Sequence, residues 1–138
     1  MEPEFQPEPT AHAWQISNAP ILALAPYLAS LELFEEVGMP ALIEKRNKIV
    51  AYLEFILQEV ADEVGADFEI ITPKERGTQL SVLLHGQGKD LFNYLMKNGV
   101  ITDWREPNVI RLAPAPFYCS FEDMYEFGQV LKGYFTKE

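Results

Sequence analysis

Arg111 is the residue whose type and setting most invite chemistry. It stands in an apolar run, Val109-Ile110-Arg111-Leu112-Ala113, which Pro114 and Pro116 close. A strand alternates its faces, so Ile110 and Leu112 point one way while Val109, Arg111 and Ala113 point the other. An unpaired buried guanidinium would cost several kcal/mol, so Arg111 needs water or an anionic partner. Its planar fork suits a carboxylate or phosphate held through two hydrogen bonds. That partner is either an internal Asp or Glu or an external substrate, and the segment alone leaves both open. The second odd polar position is Asn18, between Trp14-Gln15-Ile16-Ser17 and an apolar helical stretch. A helix cap would account for it without function.

Other templates are absent. The chain has no G-x-S-x-G elbow, C-x-x-C pair, Walker loop or G-x-G-x-x-G. Gly86-Gln87-Gly88-Lys89 lacks phosphate-loop spacing and reads as a surface turn before a short helix. Cys119 has no histidine near it in sequence and reads as a half-buried bystander thiol. His12 and His85 lack zinc-ligand spacing, and no metal is expected. Trp14 and Trp104 are suited to stacking on a planar ligand, although core or interface packing is the more common use. Lys45, Arg46 and Lys48 read as a solvated face.

The elements that must position Arg111 and Asn18 follow from periodicity and punctuation. Residues 1–13, with Pro3, Pro7 and Pro9, read as an extended strap. A first helix starts after Asn18, with Pro20 in its first turn, and runs to Gly38; Pro26 should kink it or detach its first turn. A second helix spans Pro40 to about Val64, with Leu42, Ile49, Leu53, Ile56, Val60 and Val64 as its buried stripe and Glu44-Lys45-Arg46 in water. Strands are expected at Phe68–Thr72, Gln79–His85, Val100–Trp104 and Val109–Ala113. A short helix, Gly88–Asn98, should turn Leu91, Phe92, Leu95 and Met96 inward. Ser120-Phe121-Glu122-Asp123 resembles a capping box opening a last helix. The order helix, helix, strand, strand, helix, strand, strand, helix gives an α+β fold: two layers, a small mostly antiparallel sheet covered by helices. Residues 14–138 are expected to form one domain.

Composition narrows the partners. Eleven basic residues against 21 acidic ones leave a net charge of −10, an unfavourable surface for nucleic acid or an anionic membrane. An anionic ligand would need a local cation such as Arg111. No apolar run is long enough to span a bilayer. A single cysteine precludes an internal disulfide and suits a reducing, cytoplasmic setting.

Two segments, taken together, resemble kynureninase, a pyridoxal 5'-phosphate (PLP) hydrolase. Trp14-Gln15-Ile16-Ser17-Asn18-Ala19-Pro20-Ile21 resembles the family's W-x-I-S-N-x-P-I. Ile110-Arg111-Leu112-Ala113-Pro114-Ala115-Pro116-Phe117-Tyr118-Cys119-Ser120-Phe121-Glu122-Asp123 resembles I-R-x-A-P-x-P-L-Y-N-S-F-x-D. Gly38-Met39-Pro40-Ala41-Leu42, Tyr52-Leu53-Glu54-Phe55 and Arg76-Gly77-Thr78-Gln79-Leu80-Ser81 fit between them, so the likeness runs in order through nearly the whole chain. Cys119 departs from the asparagine usual after the tyrosine, and Pro26 interrupts a helix. The resemblance implies the C-terminal small domain of a fold-type I PLP enzyme. The complete enzyme would cleave L-kynurenine to anthranilate and L-alanine, in tryptophan catabolism and NAD biosynthesis. It implies that Arg111 binds the α-carboxylate of a small amino-acid substrate and that Asn18 lies at the cofactor and substrate pocket. No catalytic residue is assigned to this chain, because none of its seven lysines has the aromatic setting of the family's Schiff-base lysine. The implied partners are a large PLP domain and a second copy in a homodimer, and the chain alone is expected to be inactive. The alternative is a stand-alone, non-catalytic α+β module for binding or dimerisation.

Overall fold

A computed structural model describes residues 4–136. The chain forms two compact units, Met1–Met39 and Pro40–Glu138.

In the first unit a 3-10 turn, Ala11–Trp14, occupies the end of the expected strap, and the Thr10 hydroxyl caps it by accepting from the His12 N–H at 3.3 Å. Helix α1, Ile21–Val37, follows. Asn18 is not its cap. The N-cap is Pro20, whose carbonyl accepts from the N–H groups of Ala23 and Leu24, and no side chain caps the turn. A proline disfavours helical geometry in the residue before it, which keeps Ala19 out of the helix and so leaves Asn18 beyond its end. The helix runs unbroken past Pro26, so its first turn is not detached. Pro26 is the sixth residue of the helix, and its missing N–H removes only one bond early in the ladder.

The second unit holds α2 (Met39–Val64), β1 (Phe68–Ile70), β2 (Leu80–Leu84), α3 (Lys89–Lys97), β3 (Asp103–Arg105), β4 (Val109–Leu112) and α4 (Phe121–Phe135). The four strands form one antiparallel sheet in the order β1-β2-β4-β3, so the fold is α+β. Gly65, at φ +65°, ends α2 in the left-handed conformation that glycine adopts at low cost. Leu42, Ile49, Leu53, Ile56 and Val60 are buried along α2 as expected, and Val50 and Leu57 widen the stripe, while Val64 is half-buried. Every buried strand side chain, Leu80, Val82, Leu84, Ile110 and Leu112, lies on the face that packs with α2, α3 and α4. Two layers result.

All four strands are shorter than periodicity suggests, two of them for an evident local reason. The Val100 N–H turns back to the Leu95 carbonyl at 3.0 Å, tying Val100 to the end of α3, so β3 begins only at Asp103. Beyond Ile70 the Thr72 hydroxyl takes the Ser81 N–H at 2.6 Å, substituting a side chain for the ladder carbonyl. Within α3, Leu91 and Leu95 are buried, Phe92 is half-buried and Met96 is exposed. At α4 the capping box is complete: the Ser120 hydroxyl accepts from the Asp123 N–H at 3.1 Å, and the Asp123 carboxylate accepts from the Ser120 N–H at 2.6 Å. Lys45 and Arg46 are not on a solvated face; both are half-buried and hold carbonyls across the unit, as the site shows.

Candidate functional site

Arg111 lies in β4, which is flanked by β2 and β3, with Ser81 and Asp103 as its direct cross-strand neighbours. Its own neighbours Ile110 and Leu112 are buried, so alternation puts Arg111 on the sheet face turned away from α2, α3 and α4. The side chain is 30% exposed. Its Nε donates to Asp103 Oδ2 at 2.5 Å, and Nη2 contacts the same oxygen. Arg105 Nε, two residues from Asp103 in β3, donates to that oxygen at 3.0 Å. The hydrogen bond from Arg111, reinforced by the two positive charges, holds the Asp103 carboxyl below the usual range.

This geometry divides the guanidinium into two working edges. Asp103 takes the side edge, Nε with Nη2. The end edge, Nη1 with the second hydrogen of Nη2, has no protein acceptor among the described residues. One carboxylate facing two guanidiniums leaves a net positive charge, so the end edge can hold a second carboxylate through two hydrogen bonds. The partner anticipated for Arg111 is therefore, within this chain, Asp103.

The chain leaving β4 is also fixed. Lys45 Nζ donates to the Pro116 carbonyl at 2.6 Å, and the N–H groups of Tyr118 and Cys119 both return to the Ala115 carbonyl. Arg46 donates to the Arg76 carbonyl, while Arg76 pairs with Glu54 and donates to the Pro73 carbonyl. These two cations of α2 thus fasten loops, a role their sequence neighbourhood gave no sign of, because the acceptors are main-chain oxygens. Trp104 packs against Phe92, with Lys89 Nζ 5.9 Å from its ring centre, so it serves packing. Trp14 is exposed. A recess of about 300 Å³ on the helix side is lined by Val100, Thr102, Leu112, Cys119 and Phe127 among others, and neither Arg111 nor Asp103 lines it.

Asn18 belongs to the other unit, in irregular, exposed chain between the 3-10 turn and α1, where Gln15 Nε2 donates to the Ser17 carbonyl at 2.9 Å. For a cofactor aldehyde the described lysines offer no buried amine. Lys45 is engaged with Pro116, Lys48 with Glu44, Lys89 with Glu106 and Lys132 with Glu63, while Lys74 and Lys97 are exposed; Lys137 lies outside the described residues.

Comparison with known proteins decides the family. Residues 45–131 match the model of the kynureninase C-terminal domain. The chain belongs to that family. A kynureninase of Christiangramia forsetii is 84% identical over 135 residues, covering 96% of this chain and 32% of the relative. A kynureninase of Flavobacterium johnsoniae is 69% identical with the same coverage, and one of Xanthomonas campestris is 48% identical over 91% of this chain and 30% of its own length. The chain thus spans about a third of the curated kynureninases it matches. A solved structure titled NIFS-like protein aligns at 19% identity and TM-score 0.49, covering 67% of this chain and 29% of that one.

Proposed function

We propose that this chain is the substrate-binding, C-terminal portion of a kynureninase whose complete form hydrolyses L-kynurenine to anthranilate and L-alanine. The observation that carries this reading is the end edge of Arg111, a charged fork on the sheet face turned away from the helices of a kynureninase C-terminal domain. Pyridoxal 5'-phosphate would supply the electron sink for the carbon–carbon cleavage. The described lysines do not fit as its anchor, so that lysine is assigned to the large domain in the remaining two thirds of the protein.

What this chain contributes is binding and orientation. Arg111 donates from its end edge to the α-carboxylate of the amino acid, which fixes the substrate backbone and with it the direction of the bond to be broken. Asn18, whose amide both donates and accepts, serves the cofactor and substrate pocket. Residues 14–138 act as one domain preceded by the strap 1–13, in a cytoplasmic homodimer, and the chain alone is catalytically silent.

The test is a complete enzyme in which this chain replaces the matching third of the Christiangramia forsetii kynureninase. Losing a charge-assisted carboxylate contact costs roughly 2 to 4 kcal/mol. Arg111→Ala should therefore raise KM for L-kynurenine by about 30-fold or more. Unchanged kinetics would refute the reading.

A further inference from the structure

We propose that Asp103 is the positioning residue that aims Arg111 at its ligand, with Arg105 offsetting the charge that Asp103 brings. This rests on the kynureninase reading above and extends it to residues that neither the family match nor the resemblance assigns.

The first ground is geometric. A long, partly exposed side chain has several rotamers open to it, and binding a carboxylate through two hydrogen bonds requires one orientation of the guanidinium plane. Asp103 stands directly opposite Arg111 in the β3–β4 register and takes Nε and Nη2. Fixing that edge fixes the plane, and the edge left over is the one suited to end-on capture of a carboxylate. The second ground is electrostatic. Asp103 alone would neutralise Arg111 and repel an incoming carboxylate. The Arg105 guanidinium on the same oxygen at 3.0 Å restores a net positive charge. The third ground is energetic. Side chains 30% and 48% exposed make a pair of small value to stability, so stabilising the fold is a weak reason for two guanidiniums to converge on one oxygen.

The experiment uses the complete chimeric enzyme with Asp103→Asn, Asp103→Ala and Arg111→Ala, each checked for folding by its size in solution and its PLP content. Three constants are read: KM and kcat for L-kynurenine, and the inhibition constant of kynuramine, the analogue without the carboxylate. Asp103→Ala should raise KM about tenfold with kcat within about twofold, and Asp103→Asn, which keeps an acceptor oxygen for Nε, should raise it less. The kynuramine constant should not move, because that molecule has no carboxylate to align. An unchanged or lowered KM in both variants overturns the proposal, and so does a parallel loss of kynuramine binding, the mark of a general structural role. If Arg111→Ala raises KM and the Asp103 variants do not, positioning fails while the site stands. If Arg111→Ala has no effect, the site itself fails.

Discussion

At the scale of single residues, the carboxylates of this domain act as acceptors on whose charge local order depends. Asp123 shows the consequence for stability. The Ser120 N–H, then the Ser120 hydroxyl, hold its carboxyl below the usual range, with the charge of Lys45 assisting. A carboxyl with a lowered folded-state value contributes stability in full above the unfolded value, about pH 4, and loses it as pH falls through the folded value. Asp123→Asn should therefore lower the urea midpoint at neutral pH and flatten the acid limb below about pH 4. An acid limb identical to the parent's would show that the capping box does not report on folding. Arg111 belongs to the same scale. Its need for a partner is legible from its apolar neighbours, whereas the identity of that partner is not. Asp103 meets it only because the β3–β4 register aligns the two. A slip of one residue would have set Trp104 opposite Arg111 and turned Asp103 to the other face.

Among the elements, α2 and α4 approach closely at Gly128. Gly128 is buried, and a Cβ placed on it would lie 2.6 Å from Ile56 Cγ2, well inside contact distance. Gly128→Ala should destabilise the domain by about 1 to 3 kcal/mol, the usual cost of overpacking. Combining it with Ile56→Ala, which vacates that space, should cost less than the sum of the two single changes. Denaturation midpoints of the four variants measure this, and simple additivity would mean that the helices part rather than clash. Sequence periodicity located both helices and most of the buried stripe of α2. It had no means of marking Gly128 as a contact point, since a glycine in a helix carries no apolar signal and its significance lies in the neighbouring helix. The expected capping role of Asn18 fails for a related reason: Pro20 sets where α1 begins, and the cap preference of an asparagine cannot reach past it.

For the whole molecule, the governing fact is that the chain spans about a third of the kynureninases it matches. Helix α1 has leucines at 22, 24, 28, 31 and 33, and none of its side chains is buried. Apolar surface of that extent favours association. The chain by itself should elute at a size that grows with concentration, and removal of residues 1–39 should abolish that growth, because the second unit has its own core of α2, α3, α4 and the sheet. Growth that survives the deletion would place the association surface on the second unit instead.

The sequence by itself determined the α+β class, the order of helices and strands, the α4 capping box and the two-sided character of the Arg111 strand. Each follows from short-range spacing, which hydrophobic burial reads directly. Only the tertiary structure decided which groups meet. Asp103 comes to Arg111 through strand register, Lys45 and Arg46 reach carbonyls 71 and 30 residues away along the chain, and Ile56 fills the space that a side chain at Gly128 would need. Such pairings depend on distances set by packing across the chain, and no local pattern of residues encodes them.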